Sequence, residues 1–177
     1  MGLESALLVV SATLAAPFLL LRFEGKRNWR KELFLDKKTD WVLTGLRALK
    51  LLGAIFLGML LVGYCLEALG FLDTHKIADI IRGSGLPMLL LTITLVPIAE
   101  ELLFRAYLQP RVGVLFTSLL FAGLHYGYGS VAEIVAAFTA SILLGLEMRK
   151  NKDVRACILA HAMYNLSSII LVTSGLA

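Results

Sequence analysis

The sequence predicts an all-α protein, a polytopic membrane bundle of about six transmembrane helices plus an interfacial amphipathic segment. Hydrophobic residues make up 58% of the 177, and charged residues only 17%. A soluble domain carries about 45–50% apolar and about 25% charged residues. Mean hydropathy is +0.81, and the apolar excess is concentrated in blocks. Each block approaches the roughly 17–25 residues that cross a hydrocarbon core as a helix. Residues 1–177 therefore read as one membrane domain, with no room for a soluble one.

The first apolar block covers about 3–21, with Pro17 a candidate kink. No basic residue precedes it and no small-x-small cleavage site follows, so it reads as a retained span and not as a signal peptide. Ala6 stands where a myristoylation motif needs Ser or Thr, which argues against lipidation at Gly2. The second block covers about 51–69, with Arg47 and Lys50 placed to snorkel from its start. The others cover about 86–108, 112–128, 131–148 and 156–176.

Between the first two blocks, residues 22–40 carry seven Lys or Arg and four acids. Trp29, Phe34 and Trp41 among those basic residues predict a helix lying in the interface. Residues 70–87 read as a loop, marked by Gly83, Gly85 and Pro87.

Charge predicts orientation. Fifteen of the 17 basic residues fall in the first, third and fifth connections, leaving only Lys76 and Arg82 elsewhere. With six spans, the positive-inside rule puts these connections in the cytoplasm and both termini outside, in a plasma or inner membrane. The clustering suits a membrane surface and excludes nucleic acid as a partner, since no soluble basic face or binding motif accompanies it. Cys65 and Cys157 lie in apolar stretches without metal-type spacing, so they read as buried, reduced packing residues.

An ionisable group at bilayer depth costs a few kcal/mol and calls for a functional explanation. Glu100, Glu101 and Arg105 fall in the third block, His125 near the end of the fourth, and His161 with Asn165 in the sixth. Glu101 and Arg105 are spaced i,i+4 and can pair on one helix face. Glu100 is rotated about 100° from Glu101, so the same arginine does not easily serve both acids. One carboxylate then has a structural partner and the other is free to face a cavity. His161 and Asn165 are also i,i+4, and Phe121 precedes His125 by the same spacing.

Each group also has a bland explanation. The acids and arginine can be a snorkelling helix end, and a lone His or a His–Asn pair can be interhelical glue. Together, on three helices of one small bundle, they fit a single polar pocket better than separate accidents. Glu4, Glu67, Glu133 and Glu147 lie near span ends, where headgroup exposure accounts for them. His75 reads as a solvated loop residue. Tyr126 and Tyr128 read as interfacial aromatics, with Tyr126 a candidate for the site mouth.

Glu100-Glu101-Leu102-Leu103-Phe104-Arg105, Phe121-Ala122-Gly123-Leu124-His125 and His161-Ala162-Met163-Tyr164-Asn165 resemble three motifs of one family. They are E-E-x-x-x-R, F-x-x-x-H and H-x-x-x-N/D of the type II CAAX prenyl endopeptidases and their bacteriocin-processing relatives. Each motif alone is weak; all three in order on successive apolar blocks are specific. The resemblance covers about residues 86–176.

It implies an intramembrane glutamate peptidase in which Glu100 and His125 activate a water, His161 and Asn165 stabilise the oxyanion, and Glu101 and Arg105 support them. The implied substrate is a membrane-embedded or lipidated protein or peptide, often cut near its C-terminus, prenylated or not. A buried carboxylate has a raised pKa and can act as a base near neutral pH. No Ser or Cys nucleophile is partnered with these histidines, which favours attack by water.

The mechanistic rival is zinc held by one carboxylate and two histidines. The H-E-x-x-H pattern is absent, and a cofactor-free mechanism is the expectation. The functional rivals are a non-catalytic scaffold or peptide-immunity protein, and a proton-relay transporter. Against the transporter, no paired repeat or matching broken helices are visible.

The chain departs from the family in its short link between the first two motifs. A turn near Gln109–Pro110 puts Glu100 about 15 Å and His125 about 20 Å deep, and His161 lies about 9 Å beyond Arg155. Those levels meet only if a helix is tilted or broken.

Overall fold

The computed structural model describes residues 2–36 and 38–175. It is an all-helical membrane bundle with no strand among the described residues. Among the described residues, five segments are long and apolar enough to cross a bilayer: Leu3–Phe23, Trp41–Ala68, Leu86–Tyr128, Val131–Asn151 and Val154–Thr173. The third is 43 residues long and folds back on itself, so the third and fourth of the six expected spans are its two arms.

Helix α1 (Leu3–Phe23) runs through Pro17 without a break in its assignment. Of the expected interfacial helix over 22–40, only one turn forms, α2 (Trp29–Glu32). The Asn28 side chain starts it by accepting from the Lys31 amide, and Phe34 ends it in the left-handed region at φ 58°. Trp29 meets Phe18 edge-on at 5.4 Å, and Leu33 is wholly buried in the main core. Leu33 and the Trp29–Phe18 contact anchor this otherwise exposed connection to the bundle.

Helix α3 (Trp41–Ala68) begins well before the predicted second block, because Asp40 caps it by accepting from the Leu43 amide. Its 28 residues reach about 42 Å, longer than a hydrocarbon core of about 30 Å. Cys65 lies exposed on its outer surface, which corrects the expected burial; Cys157 is buried, and both thiols are free.

The expected loop over 70–87 contains α4 (His75–Gly83), so His75 opens a helix. The glycines and proline mark only the end of that connection, with Pro87 in the first turn of α5 (Leu86–Ile93).

After α5 the third segment breaks at Thr94 (φ −117°, ψ −81°) and resumes as α6 (Leu95–Glu100). Pro97 explains the break: it lacks an N–H and crowds the carbonyl four residues earlier. A π-helical stretch, Glu101–Leu108, follows, and α7 (Gln109–Leu124) follows that.

The reversal is not at Gln109–Pro110, where a proline in a first helical turn costs no hydrogen bond. It is at Gly113, whose φ of 83° and ψ of 167° interrupt α7 and suit only glycine. Beyond it Phe121 packs edge-on against Phe104 at 5.1 Å. Glu100 lies thirteen residues before Gly113 and His125 twelve after it, so the arms bring both to about the same level, roughly 18–20 Å from the turn. This removes the mismatch of depths expected from a turn at Pro110.

A 3-10 turn, His125–Tyr128, leads through left-handed Gly129 into α8 (Val131–Asn151). The chain closes with α9 (Val154–Thr173). The α7–α8 contact is close. Ser118 and Ser141 join through their hydroxyls at 2.9 Å, and the Gln109 side-chain amide donates to the Gly145 carbonyl at 2.8 Å. A Cβ on Gly145 would stand 2.8 Å from Val114 Cγ1 and 3.0 Å from Gln109 Oε1. Gly145→Ala is therefore expected to destabilise the protein by about 1–3 kcal/mol, read from detergent melting curves. An unchanged midpoint would show that the helices separate freely.

Polar links mark the two ends of the bundle. At one end Arg111 pairs with Glu24 at 2.6 Å, Arg155 donates to the Leu35 carbonyl at 2.7 Å, and Thr44 donates to Asp153 at 2.8 Å. These contacts gather the basic connections together. At the other end Asp73 accepts from the Ser130 hydroxyl and the Val131 and Ala132 amides, and Lys76 donates to the Gly129 carbonyl. The Ala132 amide and the Ser130 hydroxyl, in that order, hold the Asp73 carboxyl well below the usual carboxylate range.

Candidate active site

Two polar residues in the π-helical stretch are wholly buried, Glu101 and Arg105. Their i,i+4 spacing gives the expected ion pair, Arg105 Nε to Glu101 Oε2 at 3.0 Å. The guanidinium lies 4.5 Å from the centroid of the Phe121 ring. Among the described residues, none of its nitrogens makes a well-directed hydrogen bond. Arg105 therefore depends on the Glu101 charge and on an aromatic face.

The other Glu101 oxygen takes up a residue sixty positions away: Oε1 stands 2.9 Å from His161 Nδ1. A carboxylate already paired with arginine only accepts, so Nδ1 carries the proton and Nε2 points elsewhere. It points toward Glu100, whose Oε2 is 3.8 Å away. His161 thus sits between two adjacent carboxylates, which the sequence separated only by their helical rotation.

His125 is fixed by its own helix. Its Nδ1 lies 2.8 Å from the Phe121 carbonyl, an acceptor only, so Nδ1–H donates and Nε2 keeps a free lone pair. The ring packs at 4.6 Å on Phe121, and Phe121 is also 6.3 Å from His161. One phenyl ring therefore separates and orients both imidazoles while carrying the arginine. Tyr128 packs against His125 at 5.6 Å, whereas Tyr126, the candidate for the site mouth, is exposed.

Asn165 sits one turn beyond His161 and donates from Nδ2 to the Thr92 carbonyl at 3.0 Å. That carbonyl lies beside the break at Thr94. One amide hydrogen of Asn165 is thereby engaged, and the second is available.

His125, His161 and Asn165 line one cavity of about 60 Å³, together with Glu133 and Tyr164. That volume admits a few waters. Glu100 is not part of its wall; the Glu100 side chain, 24% exposed, meets the group through His161. Among the described residues no hydrogen bond or ion pair joins Glu100 to His125. Nor do three or more His, Cys, Asp or Glu side chains gather there so as to hold one metal ion.

Glu133 was missed by the sequence reading. It stands in the first turn of α8, where Ser130 caps the helix by accepting from the Glu133 amide at 3.1 Å. A position near a span end suggested headgroup exposure, but the side chain lines the cavity. The Ser130-x-x-Glu133 capping pattern directly after the F-x-x-x-H motif was the one available signal.

Residues 82–167 match a protein-family model, described as type II CAAX prenyl endopeptidase Rce1-like. This stretch, just under half of the chain, is similar to that family. All six motif residues fall inside the Rce1-like segment. The chain also resembles the uncharacterized protein YpbD of Bacillus subtilis (strain 168), with 42% identity over 63 residues. That stretch is 35% of this chain and 33% of the relative, so the chain matches about a third of the length of YpbD. No solved structure matches the chain.

Proposed function

We propose that this protein is an intramembrane endopeptidase that cuts a membrane-embedded or lipidated polypeptide near its C-terminus, using water and no metal. The observation that carries the reading is His161, fixed by Glu101 at 2.9 Å and facing Glu100 at 3.8 Å, on a water-sized cavity shared with His125.

Glu100 acts as general base beside the cavity, with the free Nε2 of His125 as its partner. The water's proton passes to this pair as its oxygen attacks the peptide carbonyl, and is returned to the departing amine nitrogen as the C–N bond breaks. The second amide hydrogen of Asn165, and His161 Nε2 once it also carries a proton, then serve the oxyanion, in a site where donors act more strongly than in water. Glu101 and Arg105 are positioning residues. Glu101 holds the Nδ1–H of His161, and Arg105 pairs with the other Glu101 oxygen.

Purified protein in nanodiscs, given a fluorogenic lipidated peptide, is expected to keep its activity after exhaustive treatment with strong chelators. Loss on chelation with recovery at stoichiometric zinc would establish the metal mechanism instead.

In this reading the basic end of the bundle faces the cytoplasm and both termini lie outside. On a Cys65→Ala background, His75→Cys is expected to react with an impermeant maleimide in intact cells, and Arg30→Cys only after lysis. The reverse pattern would invert the orientation.

A further inference from the structure

At the basic end of the bundle a second cavity of about 250 Å³, sharing no lining residue with the first, opens where the start of α3 meets the α8–α9 turn. Four cations line it, Lys38, Arg47, Lys152 and Arg155, against two carboxylates, Asp40 and Asp153.

Both carboxylates are engaged in holding helices. Asp40 accepts from the Leu43 amide at 3.0 Å. Asp153 accepts from the Arg155 amide at 3.2 Å and the Thr44 hydroxyl at 2.8 Å. The arginines approach Asp153 only at 3.9 Å and 3.8 Å, beyond hydrogen-bond reach. Arg155 also donates to the Leu35 carbonyl. Among the described residues, Lys38 and Lys152 have neither a hydrogen bond nor an ion pair through their ammonium groups. The cavity is therefore positive in excess, and three of its cations have no acceptor at hydrogen-bond distance.

We propose that this cavity binds a phosphate group. Two planar guanidiniums and two mobile ammoniums, drawn from three chain segments, suit an anion with several acceptor oxygens better than a single carboxylate. The location supplies such groups. Trp29 and Trp41, 40% and 66% exposed, lie at this end of the bundle and mark it as the headgroup level, where basic pockets between helices take lipid phosphates. A phosphate here ties the start of α3 to the α8–α9 turn and so braces the end of α9, the helix that carries His161 and Asn165. The proposal does not rest on the peptidase reading.

The test is thermal melting of the purified full-length protein in neutral detergent, with ionic strength held constant by chloride. The probes are short-chain phosphatidylglycerol, short-chain phosphatidylcholine and inorganic phosphate. A saturable rise in melting midpoint is expected with phosphatidylglycerol and not with phosphatidylcholine. A matching rise with inorganic phosphate identifies free phosphate as a sufficient ligand, and its lack identifies the lipid headgroup. Either result upholds the phosphate site.

Lys38→Gln/Lys152→Asn removes two exposed, unpaired cations and is expected to leave the ligand-free midpoint unchanged. It is expected to raise the half-saturating concentration about tenfold or more, from about 1 kcal/mol per basic residue. Lys152→Asn alone, which suits the left-handed backbone there (φ 51°), gives a smaller part of the same loss. Lys31→Gln, exposed and outside the cavity, is expected to behave as wild type. Three results overturn the proposal: no shift in the wild type with any probe, the same half-saturation in the double variant, or an equal loss in Lys31→Gln.

Discussion

Glu100→Gln is expected to leave the protein folded and to lower cleavage by about 10²–10⁴-fold. The amide keeps the size of the carboxylate but cannot take the proton of the attacking water. Stability is spared because the Glu100 side chain is a quarter exposed and its nearest charged partner, His161 Nε2, is 3.8 Å away. Removing that contact leaves no buried group stranded, so the melting midpoint should move by no more than an ordinary surface substitution, within about 0.5 kcal/mol. The measurement is a single-turnover cleavage assay alongside a detergent melting curve. Wild-type cleavage by a folded Glu100→Gln variant would remove Glu100 from the mechanism and leave the scaffold or immunity reading in its place.

Glu101→Gln is expected to fail differently, with a loss of about 3–5 kcal/mol of stability. It takes the directly paired carboxylate from a fully buried arginine whose nitrogens find no well-directed acceptor among the described residues. The same change removes the anion that holds His161 Nδ1 at 2.9 Å. Glu101→Gln/Arg105→Gln separates the two effects. Removing both charges should restore much of the stability, because no buried charge is left alone. Cleavage should remain below wild type, because an amide can turn its NH2 toward His161 Nδ1 and so does not fix the Nδ1–H ring as an acceptor-only carboxylate does. Glu100→Gln should show no such rescue by Arg105→Gln. If Glu101→Gln is inactive at full stability while Glu100→Gln cleaves normally, the two carboxylates exchange roles.

The sequence carried the bundle, the motif residues and two of their contacts. The Glu101–Arg105 pair was legible because i,i+4 spacing brings two side chains together whatever the rest of the fold does. The stacking of His125 on Phe121 was legible for the same reason. The partner of His161 was not, since Glu101 and His161 lie sixty residues apart on helices whose relative rotation no local pattern records. Helix α4 was hidden because Gly83, Gly85 and Pro87 dominated a reading of 70–87, although they stand only at its far end. Glu133 was misjudged because helix length places a residue near a membrane surface without saying which way its side chain points.

Hydropathy and periodicity alone determined that this chain lives in a membrane as helices, that its basic connections share one end, and which polar residues carry an unusual cost. These are properties of solvent and of near neighbours, so composition and spacing contain them. The level at which Glu100, His125 and His161 meet was decided only in the folded chain. It depends on one reversal at Gly113 (φ 83°), one break at Thr94 and a π-helical stretch, Glu101–Leu108. Moving the turn from Pro110 to Gly113 shifts each arm by about 5 Å at 1.5 Å per residue, enough to make or unmake a site whose contacts span 3–4 Å. Such backbone events are chosen by how helices pack, and so the site exists only once the bundle does.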